Sequence, residues 1–335
     1  MTTIEKTFFV APMVDWTDRH CRYFHRLLSR RAILYTEMLA AAAVLRGDRA
    51  RLLDFNAEEH PVVVQLGGSD AGEMAEAAAI CAEWGYDAVN INVGCPSDKV
   101  RQGRFGAVLF KEPQTVAACA RAMAEAIRAG GRKAPVTVKC RIGVDDMDKE
   151  EDLARFIDTV AAAGVRTFVI HARKAILRGL SPKDNRTIPP LDYERVHRVK
   201  QRWPELEIII NGGLVSMQDC KEQLRHVDGV MLGRAAYQTP WLLSRVDPQL
   251  FGQPAPVQSR IEAVERFIPY VERQLAQGVP LNAMTRHILG LFHGQPGARR
   301  FRRILSEEAP RNPADINVLH RALDAVRHPA TQVAE

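Results

Sequence analysis

The amino-acid sequence predicts an α/β fold, a (β/α)8 TIM barrel followed by a small all-helical C-terminal domain. Eight short apolar or β-branched segments recur in roughly the first 240 residues, with helical patterns between them, and this order matches such a barrel. None of the segments alternates cleanly between polar and apolar residues, which is typical of parallel strands buried on both faces. After them the strand patterns stop and only helical patterns continue.

The eight predicted strands follow one another along the chain and are bounded by turn residues. They cover Phe8–Met13, Ile33–Glu37, Val62–Leu66, Ala88–Val93, Val136–Cys140, Thr167–His171, Glu207–Asn211 and Gly229–Leu232. A doubly wound sheet is the alternative, but it normally has a glycine-rich fingerprint after its first strand. Residues 11–15 follow the first strand here and contain no glycine. The barrel is therefore the better prediction.

The helices between the strands are marked by their ends. Asp70 and Glu73 form a start that resembles a capping box, and Gly85 is suited to the end of that helix. Residues 153–160 carry one apolar face of a later helix, and Ser216 is the predicted N-cap of another.

The domain division follows from the change in pattern late in the chain. Prolines interrupt residues 244–258, which are predicted to be a linker. Helical patterns begin again after the N-cap Ser259. We therefore expect a catalytic barrel at 1–243, a linker at 244–258 and a helical domain at 259–335.

The composition narrows the class of protein. The net charge of +6 permits a polyanionic partner without requiring one. The six cysteines lie far apart and form no Cys-x-x-Cys pair, so neither a disulfide framework nor a metal site is predicted and a cytoplasmic location is expected. No apolar run has the length that a membrane span needs. A monomer is expected from the two-domain design.

The densest positive stretch lies between residues 173 and 186. Its five cations outnumber one acid, Asp184; they are Arg173, Lys174, Arg178, Lys183 and Arg186. A second basic run contains Arg299, Arg300, Arg302 and Arg303. Either run could simply be a solvated surface, which is the commonest fate of charged runs.

Active sites of (β/α)8 barrels lie at the C-terminal ends of the strands. Gly212-Gly213 and Gly233-Arg234 follow the seventh and eighth predicted strands, where barrels often bind phosphate through backbone N–H groups. Arg234 would add a charge that pairs with the anion. The alternative is that these glycines only form tight turns.

Other polar residues at the strand ends have open interpretations. Lys139 needs an anionic partner, which could be a ligand or the carboxylate of Glu37. His171 and Gln65 could bind a ligand or be satisfied within the protein. Cys95 ends the fourth predicted strand, and a thiol at its ordinary pKa of about 8.5 can act as an acid near neutral pH. Buried cysteines are more often small apolar residues, so position alone leaves the role of Cys95 open.

Several of these segments together resemble the tRNA-dihydrouridine synthases. They are Val10–Met13, Val64–Gly67, Ile91–Ser97, Val138–Gly143, His171–Arg173, Asn211–Gly213 and Asp228–Arg234, in matching order across the whole predicted barrel. Residues 171–175, 179–186 and 188–193 are similar to the dihydrouridine synthase A branch, which modifies uridines 20 and 20a of the tRNA D-loop. Cys140 departs from the pattern, since threonine is expected there in many relatives.

The resemblance implies an FMN-dependent enzyme that uses NADPH as reductant. The residues expected to hold FMN are Pro12, Met13, Gln65, Lys139, His171, Asn211, Gly212, Gly213, Gly233 and Arg234. Hydride would pass from flavin N5 to C6 of the uracil, and Cys95 would protonate C5. Asn92 would face the target uridine, and Lys139 would stabilise the reduced flavin.

The resemblance also implies a tRNA partner. A uridine must leave its stack to reach a barrel mouth, and phosphate contacts can offset that cost. The expected contacts are Arg173, Lys174, Arg178, Lys183 and Arg186 on the barrel, with Arg299 and Arg302 on the helical domain.

Two other functions are compatible with the same patterns. A flavin oxidoreductase acting on a free pyrimidine, as in dihydroorotate dehydrogenase, would share the barrel and the flavin site. It would have no evident need for a basic loop and a helical domain. A non-catalytic RNA-binding protein built on an inherited barrel is the second, and a colourless purified protein would favour it.

Overall fold

A computed structural model describes residues 8–311 and 313–329 of the chain, so the outer ends of both predicted domains lie outside the described residues. The described residues form eight parallel strands in one closed ring, in which each strand pairs with the next and the eighth pairs with the first. The strands are β1 (Phe8–Val10), β2 (Ile33–Ala40), β3 (Val62–Gly67), β4 (Ala88–Val93), β5 (Val136–Arg141), β6 (Thr167–His171), β7 (Glu207–Asn211) and β8 (Gly229–Leu232). The predicted (β/α)8 barrel is confirmed.

Helices alternate with these strands and continue after them. In the described residues they are α1 (Arg19–Leu28), α2 (Ala41–Arg46), α3 (Arg49–Leu53), α4 (Ala71–Glu83), α5 (Asp98–Gln102), α6 (Pro113–Ala129), α7 (Glu150–Ala161), α8 (Tyr193–Arg202), α9 (Met217–Gln223), α10 (Arg234–Gln238), α11 (Val246–Leu250), α12 (Arg260–Ala276), α13 (Leu281–Thr285), α14 (Ala298–Glu307) and α15 (Ile316–Arg327). Asp70 accepts from the N–H of Glu73 at 2.8 Å, as its capping role requires. No helix among the described residues is both long and apolar enough to cross a membrane.

The interior of the barrel has an apolar floor and a polar mouth. Buried side chains from seven strands form the floor: Phe9, Ile33, Tyr35, Val63, Ala88, Val169, Ile209 and Met231, with Ala11 beside them. Side chains alternate between the faces of a strand, so residues two positions further along point to the same side. Gln65, Asn90, His171 and Asn211 are each two positions beyond a floor residue. These polar side chains therefore project inward at the C-terminal end of the barrel.

Strand register brings the polar ends side by side. Asn92 on β4 is paired with Lys139 on β5. Arg141, His171 and Asn211 form a continuous row across β5, β6 and β7. The topology thus gathers amide, cationic and imidazole groups at one opening.

The chain divides into two compact units that differ from the predicted division at residue 243. The barrel unit comprises the residues before Trp16 together with Ile33–Leu214 and Gln218–Gly233. The helical unit comprises Trp16–Ala32, Val215–Met217 and the residues from Arg234 onward.

Helix α1 belongs to the helical unit because its side chains pack there. The ring of Tyr23 stacks on that of Tyr270 with centroids 4.0 Å apart, and His20 Nδ1 lies 2.6 Å from the Tyr270 hydroxyl. The sequence pattern did not predict this pairing, because it joins helices that are far apart along the chain.

The predicted linker at residues 244–258 is structured within the helical unit. It contains α11, in which the buried Asp247 accepts the hydroxyl of Ser29 and, at 2.8 Å, the N–H of Arg30. Pro248 lies in the first turn of α11, where the missing N–H costs no helical hydrogen bond.

Candidate active site

The amide half of the barrel mouth consists of Gln65, Asn90 and Asn92, at the ends of β3 and β4. Asn92 Nδ2 donates to Gln65 Oε1 at 2.7 Å, and Gln65 Nε2 donates to Asn90 Oδ1 at 2.8 Å. Asn90 Nδ2 in turn donates to the hydroxyl of Thr137 on β5 at 2.8 Å. All these side chains are buried. The amide half is therefore an uncharged, internally hydrogen-bonded ladder that ties three strands together.

Asn92 also holds the turn that carries the thiol. Its Oδ1 accepts the N–H of Gly94 at 3.1 Å and the N–H of Cys95 at 3.0 Å. Both ends of this side chain are thus engaged within the protein, and only 7% of Asn92 is exposed. The structure connects Asn92 to the position of Cys95, while its contact with the uridine stays a prediction.

Cys95 differs from the other cysteines of the chain in being partly exposed. The other five are buried. Cys95 Sγ lies 3.6 Å from the hydroxyl of Ser97, and its carbonyl accepts the N–H of Ala107 at 2.9 Å. Burial makes most cysteines inert packing residues. The partial exposure of Cys95 at a strand end fits the predicted chemical role.

Sequence reasoning missed one residue that shapes this turn, Gly106. Gly106 has φ of 76°, and a Cβ there would lie 2.6 Å from the carbonyl oxygen of Cys95. The left-handed backbone and the close approach both favour glycine. A glycine soon after a strand-end cysteine is the signal that could have pointed to this contact.

The cationic half of the mouth consists of Lys139, Arg141, His171 and Arg173, at the ends of β5 and β6. Lys139 Nζ donates to Asn211 Oδ1 at 3.1 Å, and Asn211 Nδ2 donates to the carbonyl of Met231 at 2.7 Å. Among the described residues no carboxylate forms an ion pair with Lys139. Burial, helped by the charge of Arg141, lowers the pKa of Lys139 to about 8.

The alternative partner of Lys139 is engaged elsewhere. Glu37 Oε1 accepts the N–H of Asp15 at 2.5 Å. A salt bridge between Glu37 and Lys139 is not formed, so the second explanation for the lysine does not hold. An anionic ligand remains as the partner that would match its charge.

His171 lies among positive charges. Burial lowers its pKa well below the usual value, and the charges of Arg141, Lys139 and Arg173 lower it further. The imidazole is therefore neutral near neutral pH, so it can donate one hydrogen bond and accept another. The surrounding cations favour an anion at this end of the barrel.

The backbone after β7 requires its two glycines. Gly212 and Gly213 have φ of 115° and 73°. A Cβ on Gly212 would lie 2.6 Å from the His171 ring, and one on Gly213 would lie 2.5 Å from Leu191. The hydroxyl of Tyr193 donates to the Gly212 carbonyl at 2.7 Å. The glycines satisfy a local steric need, and of the two Gly213 is exposed whereas Gly212 is buried.

Gly233 has a different surrounding. A Cβ there would lie 3.6 Å from Met13 Sδ, which is an ordinary contact, so the protein itself does not demand glycine. Arg234 follows as the first residue of α10 and belongs to the helical unit. Pro12 and Met13 follow β1 and are partly exposed. The backbone at Gly233 therefore lacks the left-handed φ and the close approaches found at Gly212 and Gly213.

The residue types at the mouth therefore fit a phosphate-bearing, anionic cofactor. Surplus positive charge surrounds His171, and small residues line the ends of β7 and β8. The described residues contain no group of three or more His, Cys, Asp or Glu side chains that could hold a metal ion.

The basic segment, residues 173–186, folds around one buried amide. Asn185 is fully buried; its Oδ1 accepts the N–H of Ile176 at 2.7 Å and its Nδ2 donates to the carbonyl of Ile176 at 2.9 Å. Arg173 donates to the carbonyl of Pro189, and Lys174 forms an ion pair with Asp148 at 2.8 Å. These two cations serve the fold of the segment.

The other three cations of the basic segment face solvent. They are Arg178, Lys183 and Arg186. On the helical unit Arg299 and Arg302 are exposed on α14, together with Arg300 and Arg303, while Phe301 and Leu305 are buried. Both predicted basic surfaces therefore contain side chains that a phosphate could reach.

The chain is similar along nearly its whole length to proteins of one family. The family described as "Dihydrouridine synthase (Dus)" matches residues 9–327. A tRNA-dihydrouridine(20/20a) synthase of Shewanella oneidensis is 53% identical over 324 residues, which are 97% of this chain and 95% of that protein. A protein of the same name from Vibrio vulnificus is 54% identical over 94% of this chain and 95% of its own length. One from Escherichia coli is 52% identical over 95% of this chain and 91% of its own length.

A solved structure supports the fold alone. A 2-naphthoyl-CoA reductase complex superposes with a TM-score of 0.55 at 13% identity, covering 74% of this chain and 50% of that one. The family match spans both units of the described chain and includes every predicted cofactor residue and Cys95. The chain belongs to the dihydrouridine synthase family.

Proposed function

We propose that this protein is a tRNA-dihydrouridine synthase that reduces the 5,6 double bond of D-loop uridines 20 and 20a. The names of relatives at 52 to 54% identity over nearly the whole chain support this substrate. The observation that carries the proposal is the partly exposed thiol of Cys95 on a turn beside the cationic half of the mouth.

FMN is the proposed cofactor, held at the ends of β7 and β8 and along the cationic half. The proposed contacts are Pro12, Met13, Gln65, Lys139, His171, Asn211, Gly212, Gly213, Gly233 and Arg234. When bound and reduced by NADPH, FMN supplies the hydride that C6 of the uracil receives. The surplus of positive charge around His171 supports an anionic group there.

Lys139 and His171 would orient and stabilise that group. The ammonium of Lys139, held by Asn211 at 3.1 Å, offers positive charge to the negative edge of a flavin ring. A neutral His171 can donate a hydrogen bond without adding a further charge. Their contribution is electrostatic and is present before the reaction begins, so no reorganisation is needed during it.

Cys95 would supply the proton that C5 needs. Addition of hydride at C6 leaves negative charge on C5 and the C4 oxygen, and protonation of C5 completes the reduction. Asn92 holds the turn through two backbone N–H groups, which limits the positions of the sulfur. Lys139 and Arg141 each interact electrostatically with Cys95, which supports a position of the sulfur beside the cationic half.

The tRNA would be bound by exposed cations on both units. Arg178, Lys183 and Arg186 on the basic segment and Arg299 and Arg302 on α14 are exposed and suited to phosphate contacts. Arg173 and Lys174 contribute indirectly, because they support the shape of the basic segment. The target base leaves its stack at a cost of a few kcal/mol, which is lower in a loop.

We further propose that the protein acts as a cytoplasmic monomer. All six cysteines are free, which is compatible with a reducing compartment. Gel filtration of the FMN-loaded protein at several concentrations tests the oligomeric state.

The decisive experiment is mass spectrometry of tRNA from a strain that lacks this protein. We expect dihydrouridine to be absent at positions 20 and 20a and to return when purified protein and NADPH are added to that tRNA. An unchanged dihydrouridine content in the strain would refute the proposal. Turnover of a free pyrimidine without RNA would instead favour the small-molecule oxidoreductase.

A further inference from the structure

Arg141, the last residue of β5, joins two loops that the mechanism needs. It is only 3% exposed, and its guanidinium donates to three backbone carbonyls. Nε donates to Gly94 at 2.9 Å, while Nη1 donates to Lys174 at 3.1 Å and to Asn185 at 3.0 Å. Gly94 precedes Cys95, and the other two carbonyls lie near the two ends of the basic segment.

We infer that Arg141 is a positioning residue that fixes the thiol of Cys95 relative to the basic segment, so that the two loops form one mechanical unit. The inference rests on the proposed function, in which Cys95 is the proton donor and the basic segment contacts tRNA. Arg141 would thereby hold the basic segment and the thiol of Cys95 at a fixed distance from each other.

Each of the two loops has hydrogen bonds of its own, and Arg141 joins one loop to the other. The turn of Cys95 is held by Asn92 on one side and, at 2.9 Å, by the N–H of Ala107 on the other. In the basic segment the side chain of Asn185 accepts the N–H of Ile176 at 2.7 Å and donates to the carbonyl of Ile176 at 2.9 Å. The side chain of Arg141 forms hydrogen bonds with both loops at once.

Arginine suits this task better than lysine does. Its planar group presents several donors in fixed directions, whereas an ammonium is a single point from which three separated carbonyls are not reached together. Burial lowers the pKa of Arg141 to about 10, so the side chain stays cationic near neutral pH. The hydrogen bonds are thus assisted by charge, which makes them stronger than neutral ones.

Such a link matters because proton transfer depends steeply on position. RNA bound to the basic segment delivers the uracil, and the thiol must meet C5 from the other loop. A misplacement of about 1 Å can cost about a hundredfold in rate. Because Arg141 anchors both loops, the uracil and the thiol would keep the same relative position when the RNA binds.

The test uses the accessibility of Cys95, the partly exposed cysteine among five buried ones. Alkylation of the FMN-loaded protein by iodoacetamide, followed by mass spectrometry, reports the freedom of the Cys95 turn without requiring activity. In Arg141→Lys we expect alkylation about tenfold faster, equivalent to about 1.4 kcal/mol, which is the size of one charge-assisted hydrogen bond. We expect kcat for dihydrouridine formation to fall about tenfold or more, with a smaller change in KM for tRNA and normal flavin reduction by NADPH.

A second variant separates the link from a general loss of folding. Asn185→Ala removes the buried amide of the basic segment and leaves Arg141 intact. It should also speed alkylation of Cys95, and the double variant should be less than additive because both act through one link. The matched control is Arg22→Lys, a buried arginine of the helical unit that donates to the carbonyl of Thr17 at 2.9 Å; it should leave alkylation unchanged.

Wild-type alkylation rates in either Arg141→Lys or Asn185→Ala would overturn the inference, and so would an equal acceleration in Arg22→Lys. A failure of the proposed function has a different signature. If Cys95→Ala still formed dihydrouridine, Cys95 would not be the acid, yet the alkylation series would still measure the link.

Discussion

The two halves of the barrel mouth differ in how their polar side chains are satisfied. In the amide half Gln65, Asn90 and Asn92 satisfy one another, and no charge is left over. In the cationic half Lys139 donates to the neutral amide of Asn211, and positive groups crowd around a neutral His171. The first half is complete without a ligand, whereas the second holds surplus charge that an anion would neutralise.

This difference indicates a division of labour. A self-satisfied amide ladder is a rigid scaffold, and here it carries the turn of Cys95 through Asn92. A cluster of like charges disfavours the ligand-free state, so a ligand of opposite charge that binds the folded state stabilises it. We therefore expect changes at Asn92 to alter proton delivery and changes in the cationic half to alter cofactor binding.

The largest expected effect is the loss of product formation when the thiol of Cys95 is removed. Cys95→Ala should lower dihydrouridine formation by about a hundredfold or more, because general acid catalysis contributes about 10²- to 10⁴-fold. Bound flavin and its reduction by NADPH should be unchanged, since the cationic half is untouched. Stopped-flow absorbance follows flavin reduction, and mass spectrometry of tRNA follows the product.

The control for Cys95→Ala is Cys119→Ala, which alters a buried cysteine whose Sγ lies 3.6 Å from the carbonyl of Ser69. It should retain near-normal turnover. Comparable product formation by Cys95→Ala and wild type would remove the thiol from the mechanism, and loss of bound flavin in Cys95→Ala would erase the proposed division between the halves.

The role of the cationic half can be tested through the pH dependence of the affinity for FMN. Because burial lowers the pKa of Lys139 to about 8, the ammonium predominates below that pH and is lost as pH rises through it. An anionic cofactor raises this pKa on binding, so affinity should be constant below about pH 8 and fall above it until the pKa of the complex is reached. Each unit of pKa shift on binding corresponds to about tenfold in affinity.

Fluorescence titration of apoprotein with FMN across this range measures the effect. Lys139→Gln should bind FMN more weakly and should not show the decline above pH 8, because the titrating group is gone. A decline of equal size in Lys139→Gln would assign the titration to another group.

The fold was predictable because continuous apolar strands and well-capped helices repeat along the chain. The ends of the strands and the division into units were less predictable. Strand β1 ends at Val10 rather than at the predicted Met13. The reason is that Pro12 lacks the N–H that a strand ladder needs. Strand β2 continues to Ala40, three residues past its predicted end. The assignment of α1 to the helical unit depends on side-chain packing over long sequence distances.

The site was predictable as a set of positions but not as a set of contacts. Barrel topology alone gathers the strand ends, so Lys139 and His171 were expected there. The pairing of amides between strands depends on register, which the sequence of one strand does not specify. Likewise the ion pair of Lys174 with Asp148, 26 positions away, could not be read from the basic run, and the contact of Lys174 with RNA stays a prediction.

The smallest expected effect concerns RNA binding, which lies outside both halves of the mouth. The double variant Lys183→Glu with Arg186→Glu should raise the Kd for tRNA about tenfold and reduce its salt dependence by roughly one unit of slope for each phosphate that is no longer neutralised. Filter binding over a series of salt concentrations measures both quantities. FMN affinity should change less than tRNA affinity does, because both side chains are exposed and only Arg186 acts electrostatically on His171.

Lys133→Glu is the matched control for this variant, since Lys133 is also exposed but precedes β5 at the opposite end of the barrel. If binding responded only to net charge, Lys133→Glu would weaken it in proportion to its own change in charge. If the basic segment is the RNA surface, Lys133→Glu should leave both Kd and the salt slope close to wild type. An equal weakening per unit charge in the two variants would therefore reassign tRNA binding to the general positive field of the protein.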